Sequence, residues 1–149
     1  MSIIDMSPPK IAMWLTLIAA VIHLSFNIWE DVRISWFWGG IILGLGGFSI
    51  MMWSWGLFYK RNIGICPKAE TTILATNGPY RFTRNPMYLG FVLMLAGIAL
   101  SVGTPPFYLS AMAYFMIINF VFCPYEESKL ISSFGAEYIQ YMSKVRRWI

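Results

Sequence analysis

Four apolar segments separated by short polar stretches dominate the sequence, and they leave few folds open. They run from about Ile11 to Trp29, Ile34 to Phe58, Met87 to Gly103 and Phe107 to Cys123. About 20 helical residues, each rising ~1.5 Å, cross the hydrocarbon core of a bilayer. The first two segments meet that length. The last two are shorter, and Thr104-Pro105-Pro106 joins them tightly, as in a helical hairpin whose ends reach into polar flanks. The chain is 58% hydrophobic and only 12% charged, where soluble domains carry about 25% charged residues. The expected fold is therefore all-α: a multi-pass bundle of about four transmembrane helices with a short C-terminal interfacial helix. It forms one domain, with two N-terminal spans over 1–58, a polar loop over 59–86, and the hairpin and tail over 87–149.

Of the eleven lysines and arginines, only Arg33 falls between the first and second segments or between the third and fourth. Lys10, Lys60, Arg61, Lys68, Arg81, Arg84, Lys129, Lys144, Arg146 and Arg147 share the opposite side. The positive-inside rule then puts both termini and the central loop in the cytosol. These bases lie in loops between spans, so the net charge of +4 does not signal nucleic acid. Cys66 and Cys123 are far apart and fit no metal-ligand spacing. The first apolar run lacks a small-x-small exit, so no cleavable signal peptide is expected.

Gly40-x-x-x-Gly44 in the second segment is a small-residue face of the kind that lets membrane helices approach closely. Gly44-Leu45-Gly46-Gly47 sits inside a span and not at a strand-to-helix turn, which argues against a dinucleotide site. His23 and Asn27 share a helical face, and Asn119 lies in the fourth segment. Polar groups at such depth face the bundle interior, and His23 is expected to bond between helices.

Two polar clusters remain. In "NGPYRFTRNPMYLG", Asn77-Gly78-Pro79 marks a turn, and Asn85-Pro86 marks a helix start. The free N–H groups of that helix would lie beside Arg81 and Arg84, an arrangement suited to an anion. Such loop arginines also set topology or touch lipid phosphates. The second cluster, Glu126-Glu127, lies where the fourth segment leaves the membrane. Its partners are Arg81, Arg84, Arg147 or a cationic ligand. A salt bridge pinning loop to tail competes equally with a ligand role. Beyond it, Gly135 divides the tail into two helical pieces. Phe134, Tyr138, Tyr141, Val145 and Trp148 fall at spacings of three and four, on one helical face.

"GPYRFTRNPMYLG", followed by "EESKLISSFGAEYIQYMSKVRRWI", resembles the isoprenylcysteine carboxyl methyltransferase family, a group that includes the phospholipid N-methyltransferases. The resemblance covers Gly78 to Ile149. It implies a membrane enzyme that uses S-adenosylmethionine without a Rossmann fold, in a cytosol-facing pocket open to an apolar, lipid-like acceptor. It places Tyr80, Arg81, Arg84, Asn85, Pro86, Tyr88 and Gly90 at the cofactor, with Tyr138 and Tyr141 from the tail. Glu127, Glu126 and Arg147 fall in the catalytic pocket, Arg147 orienting a carboxylate acceptor through a two-pronged contact. Where the family more often has histidine, this chain has Asn85, which hydrogen-bonds but does not titrate near neutral pH. Three alternatives stand beside this reading: a phospholipid or amine N-methyltransferase, a sterol-reductase-like protein using NADPH, and a non-catalytic membrane scaffold.

Overall fold

The structure is a computed structural model and describes residues 6–26, 29, 32–60 and 74–149. Among these the regular structure is entirely helical. Helix α1 spans Pro8–Ser25, α2 Phe37–Lys60, α3 Pro86–Val102 and α4 Pro105–Ile117. A π-turn, Ile118–Phe122, leads without a break into α5, Cys123–Phe134, and α6 follows at Ala136–Lys144. Pro8–Ser25, Phe37–Leu57 and Pro105–Phe134 are each long and apolar enough to cross a membrane; α3, at 17 residues, is apolar but shorter. Exposed Trp14, Ile18, Ile42, Leu45 and Phe48 give the bundle the apolar exterior that a lipid environment requires. The chain is an integral membrane protein.

Helices α2 and α3 run antiparallel and make the most extensive helix contact of the fold. Glycine is what allows it. A Cβ on Gly47 would lie 2.6 Å from the Gly90 carbonyl oxygen, and one on Gly90 would lie 2.6 Å from that of Gly47. Gly40 meets Gly97 in the same way two turns further along. The small-residue face thus brings two backbones into direct contact, where dispersion between many close atoms replaces the missing hydrophobic drive.

Helix α1 lies antiparallel to α4: Ile11 and Ala12 pack in the cluster of Tyr114, Ile118 and Phe122, and Ala19 packs with Phe107 and Ala99. His23 Nδ1 is 3.3 Å from Thr104 Oγ1, and its ring meets Phe107 edge-on, so it ties α1 to the α3–α4 turn. Asn27 and Cys66 lie outside the described residues. At that end of the bundle residues 33–36 carry no regular structure. Ile34 N–H donates to Gly103 O at 2.8 Å, and Tyr108 O–H donates to Ile34 O at 2.6 Å. Among the described residues the ion pairs gather at the opposite end, around the start of α3.

The fourth segment does not stop at Cys123. Pro124 lacks an N–H, and its ring crowds the carbonyl one turn back, which normally kinks or ends a helix. Here the preceding turn widens instead, and Cys123 N–H bonds Ile118 O. The helix therefore continues to Phe134 and carries Glu126 and Glu127 in its interior. In the tail, α6 ends at Lys144 and Val145 is extended (φ −123°, ψ 129°), so Trp148 is not on the helical face expected for it. Gly135 makes the break between α5 and α6 with φ 51° and ψ −123°, a conformation that resists a side chain.

Candidate active site at the mouth of helix α3

Helix α3 starts at Pro86 because proline suits the first helical position and Asn85 takes the flanking one. Asn85 does not cap the helix with its side chain. Its Nδ2 donates instead to Arg147 O at 3.3 Å, and its backbone N–H donates to Thr83 Oγ1 at 3.2 Å. Two more bonds bind the same strand of tail: Arg84 N–H to Arg146 O at 3.0 Å and Thr83 O–H to Arg147 O at 2.8 Å. The tail thus folds back across the loop before α3, held by its own main-chain carbonyls.

This fold-back places Arg147 beside Glu127. Arg147 Nε donates to Glu127 Oε1 at 2.9 Å and Nη2 to Oε2 at 2.6 Å, a fork-on-fork pair. Arg84 Nη1 lies 3.1 Å from the same Oε1. One carboxylate is thereby shared by two guanidinium groups, one from the loop and one from the tail. No acid lies near Arg84 in sequence; its counter-charge comes from α5. The two-pronged contact expected of Arg147 toward an acceptor is made to Glu127.

Burial separates the two arginines. The Arg84 side chain is 11% exposed and that of Arg147 29%. Among the described residues, Arg84 Nε and Nη1 are buried without an aligned hydrogen-bond partner. The Glu127 bond holds the Arg147 guanidinium more firmly protonated, against a smaller opposing effect of burial.

Glu126, next to Glu127, accepts a hydrogen bond from Tyr88 O–H on α3. The adjacent acids therefore face different partners. Tyr138 of α6 is buried, 2% exposed, with Arg84 beside it. Burial raises the pKa of its hydroxyl, and Arg84 opposes that rise. Tyr141 O–H donates to Tyr80 O at 2.6 Å, tying α6 to the short 3-10 turn at Gly78–Arg81. Burial likewise raises the hydroxyl pKa values of Tyr80 and Tyr141, so all three phenols stay protonated near neutral pH.

Most of the expected residues converge here: Glu126, Glu127, Arg147, Arg84, Asn85, Pro86, Tyr88, Tyr138, Tyr141 and Tyr80. Two stand elsewhere. Gly90 faces Gly47 across the α2–α3 contact. Arg81 is exposed and lines a groove of about 500 Å³ at the edge of the site, shared with Tyr141, Leu74, Glu137, Gln140 and Lys144. Two residues belong to the cluster that sequence reasoning did not bring there. Asn119 Oδ1 accepts from Trp148 Nε1 at 3.0 Å and from Arg147 Nη1 at 3.3 Å. Thr83 bonds the tail as described. The signal for Asn119 was its isolation as an amide in an apolar segment, five residues before Pro124.

Residues 11–137 match the sequence model of the phospholipid methyltransferase family. The chain belongs to that family. Among curated proteins, protein-S-isoprenylcysteine O-methyltransferase A of Arabidopsis thaliana is 35% identical over 75 residues, 48% of this chain and 36% of that protein. A probable protein-S-isoprenylcysteine O-methyltransferase of Oryza sativa subsp. japonica is 37% identical over 75 residues, 48% of this chain and 38% of that protein. An uncharacterized protein of Haemophilus influenzae is 38% identical over 63 residues, 42% of this chain and all of that protein. The match thus spans little more than a third of the plant proteins. No solved structure matches the chain. Membership in a phospholipid methyltransferase family agrees with an apolar bundle whose polar groups collect at one end.

Proposed function

We propose that this chain transfers a methyl group from S-adenosylmethionine to an apolar, lipid-like acceptor at the cytosolic face of the membrane, as one domain with its site at the mouth of α3. The observation that carries the reading is the convergence of Arg84 and Arg147, from loop and tail, on Glu127. Two guanidinium groups share one carboxylate beside the start of α3, which no side chain caps. Among the described residues the buried Arg84 Nε has no hydrogen-bond partner, and a donor carboxylate suits both features. Glu126 suits the donor's amino group or ribose hydroxyls. The residues present therefore fit the cofactor.

When bound, S-adenosylmethionine supplies a methyl group activated by a sulfonium cation. Arg84, with the N–H groups of Met87 and Tyr88 behind Pro86, holds the carboxylate end. Tyr138 and Tyr141 close the site from α6 and exclude water. Glu127 holds the two guanidinium groups together. Arg147, the more exposed of the pair, faces the acceptor. Methyl transfer is an in-line displacement, so positioning supplies much of the rate. A carboxylate acceptor is already ionised; an amine or thiol acceptor needs its proton removed, and Glu126 is the group for that step. The names of the plant relatives favour an isoprenylcysteine-like acceptor, and the family name a phospholipid one.

Calorimetry in detergent tests the reading. S-adenosylmethionine should bind, NADPH should not, and Arg84→Ala should weaken the binding at least tenfold, the factor for losing one charge-assisted contact of about 1.5 kcal/mol. Binding of NADPH instead would favour the reductase alternative, and binding of neither would leave a scaffold. Mass spectrometry of lipid and thiol extracts, with labelled methyl donor, identifies the acceptor.

A further inference from the structure

The π-turn before Pro124 changes which residues share a face of the long helix. Asn119 and Glu127 are eight positions apart in the sequence. Eight steps of about 100° in an unbroken α-helix would set them about 80° apart around the axis. The widened turn absorbs about one residue, which leaves about seven steps and an offset of about 20°. Both then point to the same side, and both touch Arg147.

The turn also frees an acceptor. In an i→i+5 turn the Asn119 carbonyl would take the N–H of residue 124, which is proline and has none. Arg147 Nη1 lies 3.4 Å from that carbonyl and 3.3 Å from Asn119 Oδ1, a long, split contact. The same Oδ1 takes Trp148 Nε1 at 3.0 Å, and the Trp148 ring packs on Phe115 of α4, with centroids 5.2 Å apart. Glu127 thus holds one edge of the Arg147 guanidinium, and Asn119 holds the remaining nitrogen and the next residue.

We infer that Asn119, turned into line with Glu127 by the π-turn at Pro124, is a positioning residue that docks the tail and fixes the direction of Arg147. This rests on the reading of Arg147 as part of the methyl-transfer site. Asn119 touches no reacting group; it acts through Arg147 and Trp148. An oxygen acceptor at this position is what matters, so aspartate should substitute and leucine should not.

The experiment compares Asn119→Leu and Asn119→Asp in detergent, first without any donor. Trypsin cuts after Lys144, Arg146 and Arg147, and cleavage of a transiently opened tail follows the population of the open form. Asn119→Leu removes both bonds that Oδ1 accepts and should raise the rate of tail cleavage at least tenfold, the factor for losing about 1.4 kcal/mol, and Asn119→Asp should return it to near the wild-type rate. With donor and acceptor present, Asn119→Leu should raise the acceptor KM more than it lowers kcat, with recovery in Asn119→Asp. Wild-type cleavage rates in Asn119→Leu would overturn the inference. So would an Asn119→Asp tail as open as that of Asn119→Leu, or an open tail with unchanged acceptor KM. A wild-type chain that fails to bind S-adenosylmethionine would strike the proposed function instead, because tail cleavage is read without donor.

Discussion

The two flanks of α3 are held by opposite means. Along its length, glycine backbones of α2 and α3 touch directly, at Gly47–Gly90 and Gly40–Gly97. At its mouth, loop and tail are joined by hydrogen bonds and a shared carboxylate. Packing of the first kind tolerates no added volume but is indifferent to charge. The second kind is directional, and losing one partner leaves others buried and unpaired. The apolar flank supplies a rigid wall; the polar flank assembles a site from three distant stretches of chain.

The sharpest way to break this contrast is Glu127→Ala. It strands two guanidinium groups, and removing one partner of a buried ion pair costs about 3–5 kcal/mol. Arg147 is part-exposed, so a loss of about 3 kcal/mol is expected, read by unfolding in detergent. A neutral result would mean that charge does not hold the polar flank. On the apolar flank, Gly90→Val should cost about 1–3 kcal/mol by overpacking, because its Cβ meets the Gly47 carbonyl at 2.6 Å. Unchanged stability would show that the helices separate freely. Tyr141→Phe removes only the 2.6 Å bond to Tyr80 O, and about 1 kcal/mol of stability should go with it. Amide exchange in α6 would report the loosening. Ser25→Ala loses an exposed bond to Val21 O within α1 and should shift stability by no more than about 0.5 kcal/mol. It serves as the control that belongs to neither flank.

The apolar flank was largely legible in the sequence, because span length and glycine spacing are local properties. Asn85-Pro86 as a helix start and Gly135 as a break follow from single-residue conformational limits in the same way. The polar flank was legible in composition more than in geometry. Arg84 has no acid near it in sequence, and only folding of the tail brings Glu127 to it. A proline such as Pro124 normally kinks or ends a helix, yet the preceding turn widened and the helix ran on, which also rotated Asn119 into the cluster. The spacing of Tyr138, Tyr141, Val145 and Trp148 suggested one helical face. Tyr141 was rightly placed by it, but the chain extends after Lys144, and Trp148 reaches Asn119 by another route. Gly90 shows the converse: it lies within the motif, and its closest neighbours are those of a packing residue.

The unequal lengths of α2 and α3 have a consequence for the membrane around them. At ~1.5 Å per residue, the 17 residues of α3 reach about 26 Å, a few ångströms short of a typical ~30 Å hydrocarbon layer. Exposed Trp36 just before α2 and Trp38 in its first turn, with Trp53, Trp55 and Tyr59 at its other end, are anchors of the kind that sit at headgroup level. In a thicker bilayer those anchors keep α2 upright while the short neighbour is drawn inward, arginines included, at a cost of fractions of a kcal/mol per ångström. Turnover in vesicles of increasing acyl-chain length should therefore pass through an optimum and fall as the lipid thickens, giving bilayer thickness a direct hold on the reaction.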